Sequence, residues 1–187
     1  MPLPYKLIMI ESRTIEDQEM GLSEQDVLRS VFEQLRIRAK VIEVFTPAQF
    51  YQALHRASSE HVGYVHFSGH GSPSGVLIGE TEVTWEDIDQ QCWPKLKNVC
   101  FTFSSCDVAK GVNRIFERHK TFCAAVVAAT REVNWAESAV AFSAFYLRST
   151  RDDSSTEQDV RTMNHICGSG TFKVIRASRA NQTSVLE

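Results

Sequence analysis

Two residues of this chain have the types and spacing for nucleophilic chemistry. His70 stands in the run Ser68-Gly69-His70-Gly71, and Cys106 in the run Ser104-Ser105-Cys106-Asp107. Each ends a short apolar stretch, Val62 to Gly69 and Asn98 to Ser104, of the kind that forms a strand buried on both faces. In open α/β sheets ligands bind outside the carboxyl ends of the strands. If these two strands are neighbours, both side chains emerge on one sheet edge and can meet. A thiolate is then the nucleophile, and the imidazole takes its proton and returns it to a leaving amine. The backbone N–H groups of Gly71 and Cys106 are candidates for an oxyanion hole, and a glycine allows the close backbone approach this needs. A helix expected from Val108 to His119 would place its positive end behind Cys106 and favour the thiolate. Taken singly, a strand-end cysteine or a loop histidine has an ordinary structural explanation. Their joint occurrence at the ends of successive core strands is what points to chemistry.

The elements that must position this pair follow from the hydrophobic pattern. Tyr5 to Glu11, Lys40 to Phe45, Phe122 to Thr130 and Thr171 to Ile175 also read as strands, with Val76 to Ile78 and Glu82-Val83 as a small hairpin. Helices are expected after Ser23, which resembles an N-cap with Asp26 three residues on, and would run to about Arg38. Others start at Thr46-Pro47, Thr84-Trp85-Glu86-Asp87 and Asn134, and the last enters from the polar stretch Arg151 to Gln158 and ends at Gly168-Ser169-Gly170. Strands alternate with helices, which argues an α/β three-layer sandwich: a mainly parallel sheet of about six strands with helices on both faces. Residues 1–187 read as one domain whose tail frays after about residue 178.

Composition narrows the function classes. Lys and Arg number 20 against 23 Asp and Glu, a net charge of −3, so no basic field exists to drive nucleic-acid binding. Lys110, Arg114 and Arg118 make a basic row at helical spacing, read as a solvated face. Cys92, Cys100, Cys106, Cys123 and Cys167 are odd in number and form no C-x-x-C pair, which suits a reduced, cytoplasmic protein. The start lacks a signal-peptide pattern, and no apolar run approaches a membrane span. His66 and His70 share strand parity, but no third and fourth ligand accompanies them, so no metal is expected. No dinucleotide or P-loop glycine pattern appears, and no cofactor is expected.

With these residues in hand, a resemblance emerges. Val65-His66-Phe67-Ser68-Gly69-His70-Gly71, Val83-Thr84-Trp85-Glu86-Asp87-Ile88 and Phe103-Ser104-Ser105-Cys106-Asp107 resemble, in that order, the caspase-like cysteine peptidases, and among them the CHAT domains. Ala128-Ala129-Thr130 and the helix reaching Ala141 to Tyr146 are similar to the strand and helix that follow the family's nucleophile. The resemblance covers about residues 5 to 150. It implies His70 as general base, Cys106 as nucleophile, no obligatory third member, no metal, and hydrolysis of a peptide bond in a protein partner. It also implies control by a regulatory partner and a setting in defence or cell death. The animal caspase motif Q-A-C-[RQG]-G is absent, and Trp135 stands where many CHAT domains carry an acid.

Substrate contacts are expected from the loops flanking the cleft: Arg13 after the first strand, Ser105 beside the nucleophile, and Arg131, Glu132 and Trp135 after the fifth strand. Arginine in the pocket would favour an acidic substrate residue and glutamate a basic one; both occur, so the choice stays open. The other reading is a non-catalytic adaptor of the same fold that binds a partner through the cleft.

Overall fold

The computed structural model describes residues 6–177 except 94, 118, 120, 121, 152 and 153. Tyr5, Arg118 of the basic row and the tail beyond about 178 lie outside the described residues. The apolar runs pair into one sheet. Its strands are β1 (Lys6–Glu11), β2 (Arg38–Glu43), β3 (Tyr64–Ser68), β6 (Cys100–Ser104), β7 (Ala125–Ala129) and β8 (Phe172–Ile175), in the order β2-β1-β3-β6-β7-β8. The first five are parallel, and β8 pairs antiparallel with β7. The hairpin β4 (Gly75–Ile78) and β5 (Thr81–Thr84) stands apart as a two-stranded unit. The expected mainly parallel α/β sandwich is therefore the observed one.

The central strands are buried on both sides, so their residues alternate between two cores. Ile8, Ile10, Val65, Phe67, Phe101, Phe103, Val126 and Ala128 face one side. There they meet Phe50 and Leu54 of α3 (Pro47–Ser59) and Trp85 and Ile88 of α4 (Trp85–Cys92). Leu7, Met9, Cys100, Ala125 and Val127 face the other side. They pack on Leu28 and Phe32 of α2 (Gln25–Gln34), Phe142, Phe145 and Tyr146 of α5 (Trp135–Ser149), and Val160 and Met163 of α6 (Thr156–Cys167). Each fully buried side chain of this size contributes about 1.5–3 kcal/mol, which anchors the strand ends where the loops diverge. No helix among the described residues is long and apolar enough to cross a membrane.

Several helix starts follow the capping logic of the sequence. Thr46 and Thr84 form capping boxes with Gln49 and Asp87, and Asn134 accepts from the Glu137 N–H at 2.8 Å. Three expectations need correction. An additional short helix, α1 (Ile15–Glu19), follows β1. The second helix is not capped by Ser23: its hydroxyl donates to Glu11 Oε2 (3.1 Å), while Glu11 Oε1 accepts from the Glu24 and Gln25 N–H groups, both at 2.9 Å. A buried carboxylate from the end of β1 thus satisfies the open amides of α2. Finally, the stretch from Val108 to His119 is no α-helix. It is two 3-10 turns, Val108–Lys110 and Val112–Phe116, separated by Gly111. A Cβ on Gly111 would lie 1.7 Å from the Pro73 carbonyl oxygen, so the backbone here is shaped by contact with the β3–β4 loop. Val112 and Ile115, three residues apart, share one face of such a turn.

Candidate active site

β3 and β6 are parallel neighbours, with Ser68 opposite Ser104. His70 and Cys106 therefore lie the same two residues beyond matched strand ends, and both line a cavity of about 160 Å³ with Gly69, Ser104, Ser105, Val133, Asn134, Trp135 and Ser138. The register thus brings the two residues to one sheet edge and onto one cavity, where Cys106 Sγ is bonded to the Val133 carbonyl and His70 to Asp17.

The loops that carry them are tied together. Ser105 Oγ donates to the Gly69 carbonyl at 2.8 Å. A Cβ on Gly71 would fall 2.7 Å from both Ser105 Cβ and Val108 Cγ2, so only glycine lets the His70 loop lie this close to the Cys106 loop. The Leu77 N–H donates to the His70 carbonyl, and the Ser72 N–H donates to the Gly75 carbonyl, both at 3.0 Å. These two bonds carry the bridge between Gly71 and Val76 and leave the Gly71 N–H outside it. After Cys106 the chain turns through Asp107 at φ 57°, a left-handed conformation that aspartate tolerates better than most residues. The Asp107 N–H donates to the Arg131 carbonyl at 3.2 Å, and Cys106 Sγ donates to the Val133 carbonyl at 3.5 Å. The loop beyond β7 thereby forms the far wall of the cavity.

A third residue, absent from the sequence-based set, completes the arrangement. Asp17 on α1 is 3% exposed, and His70 Nε2 donates to it at 2.9 Å (Oδ2) and 3.1 Å (Oδ1). Burial alone would raise the Asp17 pKa, but the Thr14 N–H and hydroxyl and the neighbouring His70 outweigh it and hold the carboxyl below its usual value. An ionised acceptor on Nε2 favours the tautomer protonated there and leaves Nδ1 as the nitrogen with a free lone pair. The signal for α1 was present in the sequence as Thr14-x-x-Asp17, the same capping pattern as Thr84-x-x-Asp87. His70 also lines a second, more open hollow of about 520 Å³ on its other side, rimmed by Glu16, Glu19 and Glu80.

No α-helix end stands behind Cys106, because the segment after it is a 3-10 turn of three residues. The expected helix contribution to the thiolate is therefore withdrawn. The other four cysteines are poor nucleophiles for a physical reason: burial pushes Cys92 and Cys100 up to about 12, Cys123 well above its ordinary value, and Cys167 upward.

The floor of the cavity rests on a buried polar network. Ser104 Oγ donates to Glu24 Oε1 at 2.8 Å, and His66 Nε2 lies 3.3 Å from Glu24 Oε2. His66 Nδ1 is 2.9 Å from Thr102 Oγ1 and 3.1 Å from the Tyr146 hydroxyl. His66 and Glu24 are fully buried, so this histidine supports the floor. No group of three or more metal-ligating side chains occurs among the described residues.

The sequence-nominated substrate contacts divide. Ser105 and Trp135 line the cavity, the Trp135 ring perpendicular to that of His70 at 6.4 Å between centroids. Arg13 does not line it; its guanidinium pairs with Glu43 and lies 3.6 Å from Glu11. Arg131 pairs with Glu137 and donates to the Cys167 carbonyl at 2.9 Å, and Glu132 is exposed beside it.

The six-stranded, mostly parallel sheet with helices on both faces and loops converging at the ends of its central strands matches the caspase-like fold of gingipain R. No family model and no curated protein matches the chain. Among solved structures, it is similar to the Arg-specific cysteine proteinase gingipain R, at TM-score 0.59 and 13% identity, covering 89% of this chain and 45% of that one. It is likewise similar to the complex of Porphyromonas gingivalis RgpB pro- and mature domains, at TM-score 0.60 and 11% identity, covering 92% of this chain and 47% of that one. The chain spans about half the length of these proteins, and the likeness is one of fold.

Proposed function

We propose that this chain is a caspase-fold cysteine endopeptidase in which His70 activates Cys106 against a peptide bond of a protein partner. The observation that carries the reading is the placement of both residues two positions beyond matched parallel strand ends, on one cavity, with a buried carboxylate on the histidine. His70 Nδ1 takes the Sγ proton, and the thiolate adds to the scissile carbonyl. The Gly71 and Cys106 N–H groups stabilise the oxyanion that forms. Collapse breaks the C–N bond as His70 returns the proton to the departing amine. Water, deprotonated by the same imidazole, then hydrolyses the thioester and restores the thiol.

Assignment to the CHAT branch, control by a regulatory protein partner and a setting in defence or cell death rest on the ordered motifs around His70, Thr84 and Cys106. A cytoplasmic setting is supported by the five free thiols. The substrate contacts we propose are Ser105 and Trp135, with Arg13, Arg131 and Glu132 outside the cavity wall.

The test is replacement of Cys106 by Ala and of His70 by Ala, separately, with cleavage of a whole proteome read by N-terminal labelling. New N-termini should vanish in both variants, and a variant that cleaves as well as wild type refutes the dyad. Thiol alkylation separates the adaptor reading: Cys106 should react faster than half-buried Cys167, and equal rates favour the adaptor.

A further inference from the structure

The nucleophile attacks the carbonyl of the residue on the amino side of the cleaved bond (P1), and the P1 side chain branches one bond away from that carbon. The cavity adjoining Cys106 must therefore receive it if the peptidase reading holds, on which this inference rests. Its volume of about 160 Å³ is below the roughly 300–1,000 Å³ of a site for a drug-sized ligand, on the scale of a single side chain.

Its chemistry is unusual in being uncharged. Of the lining residues, only His70 and Cys106 titrate, and both are committed to the chemistry. Of the nearby charges, Arg131 pairs with Glu137, Arg13 with Glu43, Asp17 with His70, and Glu24 lies behind the floor with Ser104 and His66, while exposed Glu132 does not line the cavity. A charged P1 group entering here would lose its hydration without gaining a counter-charge.

The wall is nonetheless not apolar. Ser105 Oγ is used by the Gly69 carbonyl, Ser104 Oγ donates to Glu24, and Asn134 Oδ1 accepts the Glu137 N–H. Ser138, on the first turn of α5 and 2% exposed, differs from these. Its hydroxyl is buried with no hydrogen-bond partner among the described residues, although it lines the same cavity. Buried hydroxyls are almost always paired, so an orphan on a residue that lines a hollow beside Cys106 marks a place for a ligand's polar atom.

We infer that the cavity selects a small, uncharged, hydrogen-bonding P1 side chain of the asparagine, serine or threonine class, with Ser138 Oγ as the residue that reads it. Removing the hydroxyl breaks no bond in the free protein, so a specificity role and a structural role give different results.

The experiment uses the full chain and peptidyl acyloxymethyl ketones identical except at P1, which carries Asn, Ala, Arg or Asp. The Cys106 thiolate displaces the carboxylate to give a thioether, and mass spectrometry reads the rate of adduct formation. The Asn probe should modify Cys106 about tenfold or more faster than the Arg and Asp probes. In Ser138→Ala the advantage of Asn over Ala should be lost, with no fall in thermal unfolding temperature. Equal or faster labelling by Arg or Asp overturns the inference, as does an Asn-to-Ala ratio that survives Ser138→Ala. If no peptidyl probe labels Cys106 faster than plain iodoacetamide does, the peptidase reading itself fails and the pocket assignment falls with it.

Discussion

Asp17 is the residue on which the proposed chemistry depends without touching substrate, and its replacement by Asn gives the sharpest check. Asn is nearly isosteric, so α1 should keep its place, but the amide can hold Nε2 in only two ways. With its oxygen toward the ring it accepts the N–H as a neutral partner. Flipped, it donates to Nε2 and drives the ring proton to Nδ1, where it blocks proton transfer from Cys106. A hydrogen bond involving a charged group contributes about 1.5–3 kcal/mol. The His70 side chain is 48% exposed while Asp17 is 4% exposed, so solvent screening places this pair at the lower end, about 1.5 kcal/mol. At 1.36 kcal/mol per decade this is about a tenfold fall in rate. The assay is alkylation of Cys106 by iodoacetamide near neutral pH, followed by mass spectrometry, with Cys167 as internal reference. Thr14→Ser is the control for the placement of α1, because it changes the capping residue while keeping its hydroxyl and N–H on the Asp17 carboxylate, and Thr14→Ala tests the loss of the cap together with that hydroxyl. A rate for Asp17→Asn within about twofold of wild type refutes the positioning role. So does an equal loss in Thr14→Ser, which would assign the effect to the placement of α1.

Two further outcomes follow from the same geometry. Gly71→Ala drives a Cβ to 2.7 Å from Ser105 Cβ and Val108 Cγ2; the loops must part, at about 1–3 kcal/mol, lowering the urea midpoint and slowing Cys106 alkylation together, and an unchanged alkylation rate would show that the close approach is dispensable. Burial, opposed by hydrogen bonds from Gln25, Ser23 and Glu24 and by Arg13, leaves Glu11 with a raised pKa. A carboxyl raised in the folded state contributes stability that is present below about pH 4.5 and is lost as pH rises through its folded value. The urea midpoint of Glu11→Gln should therefore fall less than that of wild type between pH 4.5 and neutrality, and parallel profiles would count against it.

What could be read in advance depended on the range of the interactions involved. Ile8, Val65, Phe101 and Val126 lie in continuous apolar runs, and such runs declare buried strands whatever packs on them. The placement of His70 and Cys106 just beyond neighbouring strand ends was legible because each closes such a run. Signals that need a distant partner were misread. Ser23-x-x-Asp26 has the form of a cap, but the Ser23 hydroxyl is taken by Glu11, twelve residues earlier. Val108 to His119 has helical spacing, but Gly111 is pressed on Pro73. α1 is too short for periodicity to register, and its function requires His70, fifty-three residues away. The Ser138 hydroxyl is an ordinary helix residue in sequence and becomes notable only as a buried group without a partner.

The sheet order explains why these separate signals converge. β1, β3, β6 and β7 are consecutive neighbours, all parallel, so their carboxyl ends lie along one edge at about 4.8 Å per strand. The segment after β1 supplies Asp17, that after β3 His70, that after β6 Cys106, and that after β7 Val133, Trp135 and Ser138. The proposed acid, base, nucleophile and side-chain pocket thus stand in the order of the strands. Asp17 reaches His70 because no strand intervenes between β1 and β3, and none intervenes between β3 and β6, whose ends carry His70 and Cys106. A one-residue slip between β3 and β6 would send His70 and Cys106 to opposite faces. The register Ser68 to Ser104 is held from below by the bonds of Thr102 and Ser104 to His66, and by that of Ser104 to Glu24. The buried network that takes no part in the proposed reaction is therefore what keeps its two reacting side chains on one face.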